Sequence, residues 1–353
     1  MKILYIFLAI VLIFEGSAFG EILFQDNFDN QGDWTRTQST TSDDVCYSGC
    51  TGIPSGWTSY RNGFSYCTNG PGNNNFYIDA IPGYPVESSG TDRGGSGKCV
   101  TFWDESCTNQ FEDSDGMIAK QLGANHDEIY IRFYIKFSPD FKWMDSSDAY
   151  AAGHSDTAQH KFWHIQHYCE DGGDPYSYFG ARDRCNYPVA VGGIYRWTSS
   201  EKLKFYQLYA CEESTCNAGT PAFDTYTEYI TIGDISTLRQ DGNLLDGNWH
   251  SIEQHYKMNT NAGSTFNTDG VWEIWIDENL IFSRSDIPWS NDGSQQSPRR
   301  GWNFIVLGGN NNNRWTAVCS GTACEQWYAI DDVVISTEYI GIRPSPPKNL
   351  KIQ

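Results

Sequence analysis

Trp249-His250-Ser251-Ile252-Glu253-Gln254-His255-Tyr256-Lys257-Met258-Asn259-Thr260 is the stretch that decides the fold class. Ile252, Tyr256 and Met258 fall on one parity, and Glu253, His255 and Lys257 on the other. A period of two marks a strand with one face in a core and the other elsewhere. After a loop of Asn, Gly, Ser and Thr, the alternation resumes from Asp269 to Phe282, where Trp272, Ile274 and Ile276 oppose Val271, Glu273 and Trp275. Asp277-Glu278-Asn279 reads as a tight turn into another short strand. The stretch is therefore a run of antiparallel strands with one polar, aromatic-rich face. That face carries Glu253, His255 and Lys257 side by side, which makes it the first place to look for chemistry.

Working outward, Glu128–Phe137 is the cleanest alternating strand, with Ile129, Ile131, Phe133, Ile135 and Phe137 on one side and Tyr130, Arg132, Tyr134 and Lys136 on the other. His160–Tyr168 alternates with very polar interleaving. Further strands are expected in Ile22–Asp29, Cys99–Trp103, Val189–Trp197, Leu203–Cys211, Tyr229–Ile232, Trp302–Leu307 and Trp327–Ser336. Residues 35–97 are loop-rich but studded with aromatics, which suits ordered excursions around short strands better than a disordered linker. No sustained helical period and no internal repeat stand out. Many strands, turn signals and no helices predict an all-β fold of two antiparallel sheets, a jelly-roll sandwich. A concave sheet in such a fold suits an extended ligand.

The first residues, Met1-Lys2 followed by an apolar run to Phe14 and small residues to Gly20, have the plan of a secretory signal peptide. The expected organisation is a leader at 1–20, one jelly-roll domain at 21–342, and a Pro-rich tail at 343–353. The mature chain is expected to be secreted, extracellular or periplasmic, without a membrane anchor and as a monomer. A formal net charge of −20 argues against nucleic acid as a partner. Eleven Cys in an exported chain read as disulfides pinning long loops. The close pairs are Cys46/Cys50, Cys99/Cys107, Cys211/Cys216 and Cys319/Cys324, with Cys169/Cys185 bracketing a wider loop and Cys67 left over.

In the C-terminal half the pattern becomes recognisable. Trp249-x2-Ile252-Glu253-x3-Lys257-x-Asn259-Thr260, Asp269-Gly270-x4-Trp275-Ile276-Asp277, Leu307-Gly308-Gly309 and Tyr328-x-Ile330-Asp331-Asp332-Val333-Val334-Ile335-Ser336 together resemble the concanavalin A-like jelly-roll proteins of the polysaccharide lyase type, such as alginate and glucuronan lyases. The opening Phe24-x-Asp26-x-Phe28-Asp29 resembles the first strand of the same superfamily. The resemblance implies a structural calcium ion held by Asp26, Asp29, Asp331 and Asp332, and no organic cofactor. It also implies work on a polysaccharide along the concave sheet.

Cleavage of a uronate polymer by β-elimination needs a group that neutralises the substrate carboxylate, a base and an acid. The strands supply His164, Gln166, His255, Lys257 and Tyr206 as catalytic candidates. His160, Tyr209, Arg132, Tyr134 and Glu253 are candidates for holding substrate. His164 and Gln166 share parity with Phe162, whereas Lys161, Trp163, Ile165 and His167 share the other, more apolar set. In the alginate lyases a Gln and a His sit two apart on one strand, and His164-Ile165-Gln166 has that spacing in reverse order. The expected function is a lyase acting on an acidic glycan. One alternative is a non-catalytic carbohydrate-binding protein using the same cleft. The other is a glycoside hydrolase, although no paired-carboxylate run of the Glu-x-Asp-x-x-Glu kind is present.

Overall fold

The computed structural model describes residues 20–37, 44–62, 74–78, 93, 97–106, 114–138, 157–168, 189–197, 202–208, 228–234, 244, 246–262, 265–267, 269–287, 289, 301–311 and 324–341.

The strands are β1 (Ile22–Asp26), β2 (Trp34–Thr37), β3 (Asp44–Cys46), β4 (Ser59–Asn62), β5 (Asn74–Ile78), β6 (Val100–Ser106) and β7 (Ser114–His126). They continue as β8 (Glu128–Phe137), β9 (Thr157–Gln166), β10 (Val189–Trp197), β11 (Lys202–Leu208), β12 (Glu228–Asp234) and β13 (His250–Lys257). The remainder are β14 (Asn261–Ala262), β15 (Thr265–Phe266), β16 (Gly270–Ile276), β17 (Asn279–Ile287), β18 (Trp302–Asn311) and β19 (Cys324–Ser336). The first sheet runs β17-β16-β13-β8-β19-β6-β5-β2, with β1 also paired to β19. The second runs β12-β11-β10-β9-β18-β7-β4-β3. Every pairing among the described residues is antiparallel. The fold is the two-sheet antiparallel jelly-roll sandwich that the alternation predicts.

The core lies between the sheets and follows the parities read from the sequence. Ile129, Ile131, Phe133, Ile135 and Phe137 are buried, as are Ile252, Tyr256, Met258, Trp272, Ile274 and Ile276. The second sheet answers with Phe162, Trp163, Ile165, Ile305 and Leu307. Phe133 meets Trp163 with ring centroids 5.3 Å apart, and Trp163 Nε1 donates to Gln254 Oε1 across the sandwich at 2.8 Å. Burying an amide in such a core is tolerable because indole and phenol donors use its oxygen; Tyr256 donates to the same atom.

β9 departs from simple alternation. Gly192 and Gly193 of β10 pair with Trp163 and Lys161, so Phe162 is an extra residue without a register partner. This is a β-bulge, which reverses the parity on one side of it. Phe162 and Trp163 both enter the core, Phe162 packing on Phe137 and Tyr328 at 5.4 and 5.0 Å. Lys161 is therefore turned to the outer face with His164. The expected grouping of Lys161 with Trp163 and Ile165 is corrected here: strict period two does not hold across the bulge.

Candidate functional site

The two groups of candidate residues lie in different sheets. His164 and Gln166 are on β9 of the second sheet, and His255 and Lys257 are on β13 of the first. Each set faces outward from its own sheet, with the core between them. The expected meeting of the His160–Tyr168 strand with Glu253, His255 and Lys257 does not occur, because the chain places β9 and β13 back to back across the core.

On the second sheet, Val306 is the register partner of His164, and Phe304 that of Gln166. Val191 of β10 lies on the other side of His164, and Tyr206 of β11 pairs with Val191. Directly opposed residues share a face, so one register row runs from β11 through His164 to Val306 and on to Ala119 of β7. His164 is 0% exposed, Gln166 1% and Lys161 2%. Burial, then the positive charge of Lys161, hold the His164 imidazole far below the usual histidine range, opposed by a hydrogen bond from the ring to the Gly308 backbone carbonyl. A Cβ on Gly309 would come within 2.5 Å of Lys161 Cβ and 3.1 Å of His164 Nε2, so glycine is required for β18 to pass this close. The row can thus hold a neutral imidazole beside a buried cation. His160 occupies a described strand position opposite Asn311, and Tyr209 lies outside the described residues.

The apolar half of this face is formed by Met117, Ala119, Tyr168, Phe304 and Val306, with Tyr47 packed against it. Tyr47 belongs to a loop closed by the Cys46–Cys50 disulfide, whose Cα atoms are 5.8 Å apart. The expected Cys46/Cys50 pairing is thereby observed. Cys99 is buried with its Sγ 3.8 Å from Thr101 Oγ1. Cys324 opens β19, and Cys67, Cys107, Cys169, Cys185, Cys211, Cys216 and Cys319, with the pairings expected of them, lie outside the described residues.

The outer face of the first sheet is a charge network. His255 Nδ1 lies 2.8 Å from Glu273 Oε2 and its Nε2 2.8 Å from Glu128 Oε1, so both ring nitrogens are held by carboxylates. Tyr130 stacks on the same ring at 4.2 Å, and its phenol is pushed up to about 12 by burial and by the surrounding Glu128 and Glu273. Lys257 Nζ pairs with Glu128 Oε2 at 3.1 Å. Both ring nitrogens of His255 and the Lys257 ammonium are thus engaged by carboxylates of neighbouring strands. Glu253 accepts from the backbone N–H groups of Ile340 and Gly341, at 2.7 and 3.2 Å. It therefore clasps residues 337–341, which follow β19 across this face. Tyr339 of that strap packs on Trp275 and Tyr130, with centroids 5.3 and 6.2 Å apart. Arg132 lies opposite Glu253 in the register and is 6% exposed, yet its Nε and Nη1 have no hydrogen-bond partner among the described residues. Tyr134 carries the Arg93 guanidinium over its ring at 3.8 Å.

The four expected calcium ligands do not fit a carboxylate cage. Asp26 accepts from Phe28 N, Gln31 Nε2 and Trp57 Nε1. Asp29 accepts from Lys98 N and Asn27 Nδ2. Asp331 accepts from the N–H groups of Arg93 and Asp332, and Asp332 pairs with Arg93. N–H donors thus occupy the oxygens a hard cation would need, and no group of three or more candidate ligands forms among the described residues. Burial, then Asp332, push the Asp331 carboxyl up to about 8. A cavity of about 300 Å³, lined by Leu23, Lys120, Leu122 and His126 among others, contains none of the expected site residues.

No protein-family model matches this chain, and no curated protein matches it. Solved structures do. An endo-β-1,4-glucuronan lyase from Trichoderma reesei is 11% identical with a TM-score of 0.41, covering 69% of this chain and 82% of that one. An alginate lyase from Chlorella virus is 13% identical with a TM-score of 0.41, covering 68% and 85%. The marine PL-14 alginate lyase from Aplysia kurodai is 11% identical with a TM-score of 0.42, covering 69% and 84%. The chain is similar to these jelly-roll lyases; the fold itself rests on strand order and register.

Proposed function

We propose that this protein is an exported polysaccharide lyase-like enzyme that cleaves an acidic, uronate-containing glycan at the outer face of the second sheet. The observation that carries the reading is the β9 bulge, which turns Lys161 onto the face of His164 and Gln166. β-Elimination needs those three kinds of group together. Lys161 and the Gln166 amide would neutralise the uronate carboxylate and so acidify the adjacent C–H. Neutral His164 would take that proton. The C–H electrons form the new double bond, the glycosidic C–O bond breaks, and the leaving oxygen takes a proton from an acid. Tyr206, in the same register row, is the candidate acid. Because His164 is fully enclosed, a glycan reaches it only when this face opens.

The test is ultraviolet absorbance from unsaturated ends on a panel of uronate polymers. His164→Ala and Lys161→Ala are expected to abolish the signal per folded molecule, the folded fraction being read by thermal melting because both side chains are buried. Wild-type protein that produces no unsaturated ends yet is retarded in polymer-containing gels would transfer the reading to non-catalytic carbohydrate binding.

A further inference from the structure

The hairpin of β3 and β4 borders the second sheet beside β7. Between its strands the Cys46–Cys50 bond closes a loop only four residues apart in sequence, with Gly49 at φ 65°. Ser48 and Gly49 are exposed, while Tyr47 is half-buried against Met117, Ala119, Tyr168, Phe304 and Val306. Two of those residues, Phe304 and Val306, are the direct register partners of Gln166 and His164. The apolar floor under Tyr47 is therefore continuous with the polar floor of the proposed site. From β9 to β7 is two strand spacings, about 10 Å, room for a neighbouring sugar of a bound chain. Tyr168 and Phe304, the other aromatic rings in this patch, are 7% and 1% exposed and pack on each other at 5.2 Å. Tyr47 is the ring that remains within reach of a ligand.

We propose that Tyr47 is a substrate-contacting residue. Its ring stacks on the C–H face of the sugar next to the one being cleaved, and the Cys46–Cys50 disulfide sets its height over the sheet. This rests on the lyase reading of the same face. A pyranose offers an apolar ring face and a hydroxyl rim; a phenol held over an apolar floor matches the first and can hydrogen-bond the second. The loop also makes the subsite sensitive to reduction, because the disulfide is at the edge of the sheet with its neighbours in solvent.

The experiment compares Tyr47→Leu, which keeps an apolar cover but removes the flat ring, with Tyr47→Phe, which keeps the ring. Both are measured in the full chain on uronate polymers, by steady-state kinetics, by retardation in polymer-containing gels and by thermal melting. Tyr47→Leu is expected to raise KM and weaken gel retardation about fivefold, with kcat within about twofold and the melting temperature little changed. Tyr47→Phe stays near wild type, and Cys46→Ser with Cys50→Ser reproduces the Tyr47→Leu result. A Tyr47→Leu protein with unchanged KM and retardation overturns the proposal and leaves the lyase reading standing. So does one whose kcat falls in step with lost folded protein. Wild-type protein that neither cleaves nor is retarded by any polymer overturns both.

Discussion

Replacing Glu253 tests the clasp on the outer face of the first sheet. Its side chain is in a residue 4% exposed, and its two oxygens accept the consecutive N–H groups of Ile340 and Gly341. Removing one acceptor from a buried donor costs about 1–3 kcal/mol. Ile340 is buried and bears the full penalty, whereas Gly341 is partly exposed and turns to water. Arg132, whose Nε and Nη1 have no hydrogen-bond partner among the described residues, also loses the Glu253 charge that it faces across the register. Together these give a loss of about 3 kcal/mol for Glu253→Ala, and about half that for Glu253→Gln, which retains one acceptor. Urea unfolding followed by tryptophan fluorescence reads both. Ile340→Pro removes the donor itself, so a double-mutant cycle with Glu253→Gln should show a coupling of about 1 kcal/mol. Strict additivity, or Glu253→Ala within about 0.5 kcal/mol of wild type, would refute the reasoning.

Lys257→Ala should leave any lyase activity intact and change stability by less than about 1 kcal/mol, since its pair with Glu128 is partly solvated; loss of activity would return the first sheet to the chemistry. Asp331 has a folded pKa of about 8 against an ordinary 3.8. The folded state therefore keeps a proton that the unfolded chain has lost, and stability falls as pH rises through that window. Asp331→Asn should flatten the fall between about pH 4 and pH 8 in urea midpoints. His250 behaves differently: burial lowers its pKa, but hydrogen bonds to Asp277 and Asp246 raise it above 6.5 overall. Its contribution is fully present below that ordinary value and is lost as pH climbs through the folded value. His250→Asn should remove this second slope, and an unchanged profile would show that the pair of aspartates does not hold the proton.

The strands with clean alternation were legible from residues alone. β8 and β10 have the expected bounds, and the parities of β13 and β16 match the observed core. β7 was not read as a strand, although it has thirteen residues. Met117 and Ala119 are buried on its outer side and Ile118 and Leu122 on its inner side, so burial on both faces erases the period of two. The residue types of the candidate site can be read from the sequence, but their distribution over the two sheets cannot. Alternation assigns a face within one strand and says nothing about which strands share a sheet, which is why His255 and Lys257 were joined to His164 and Gln166. Lys161 was placed on the wrong side because a bulge hides from strict parity. Consecutive Phe162 and Trp163, two large aromatics in a polar strand, were the available signal.

The pairing of β1 with β19 has a consequence for how the chain is made. Ile22 lies opposite Ser336 and Asp26 opposite Val333, and the backbone of Glu21 bonds that of Thr337. β1 thus finds this partner only after some three hundred further residues are synthesised. Closing so long a loop is slow, and it makes sheet completion the late step of folding. Until β19 is made, the β1 edge of this pairing has no strand to bond to. Deleting the last four residues of β19, Val333–Ser336, should therefore release β1 as well, so damage at one strand is felt some three hundred residues away.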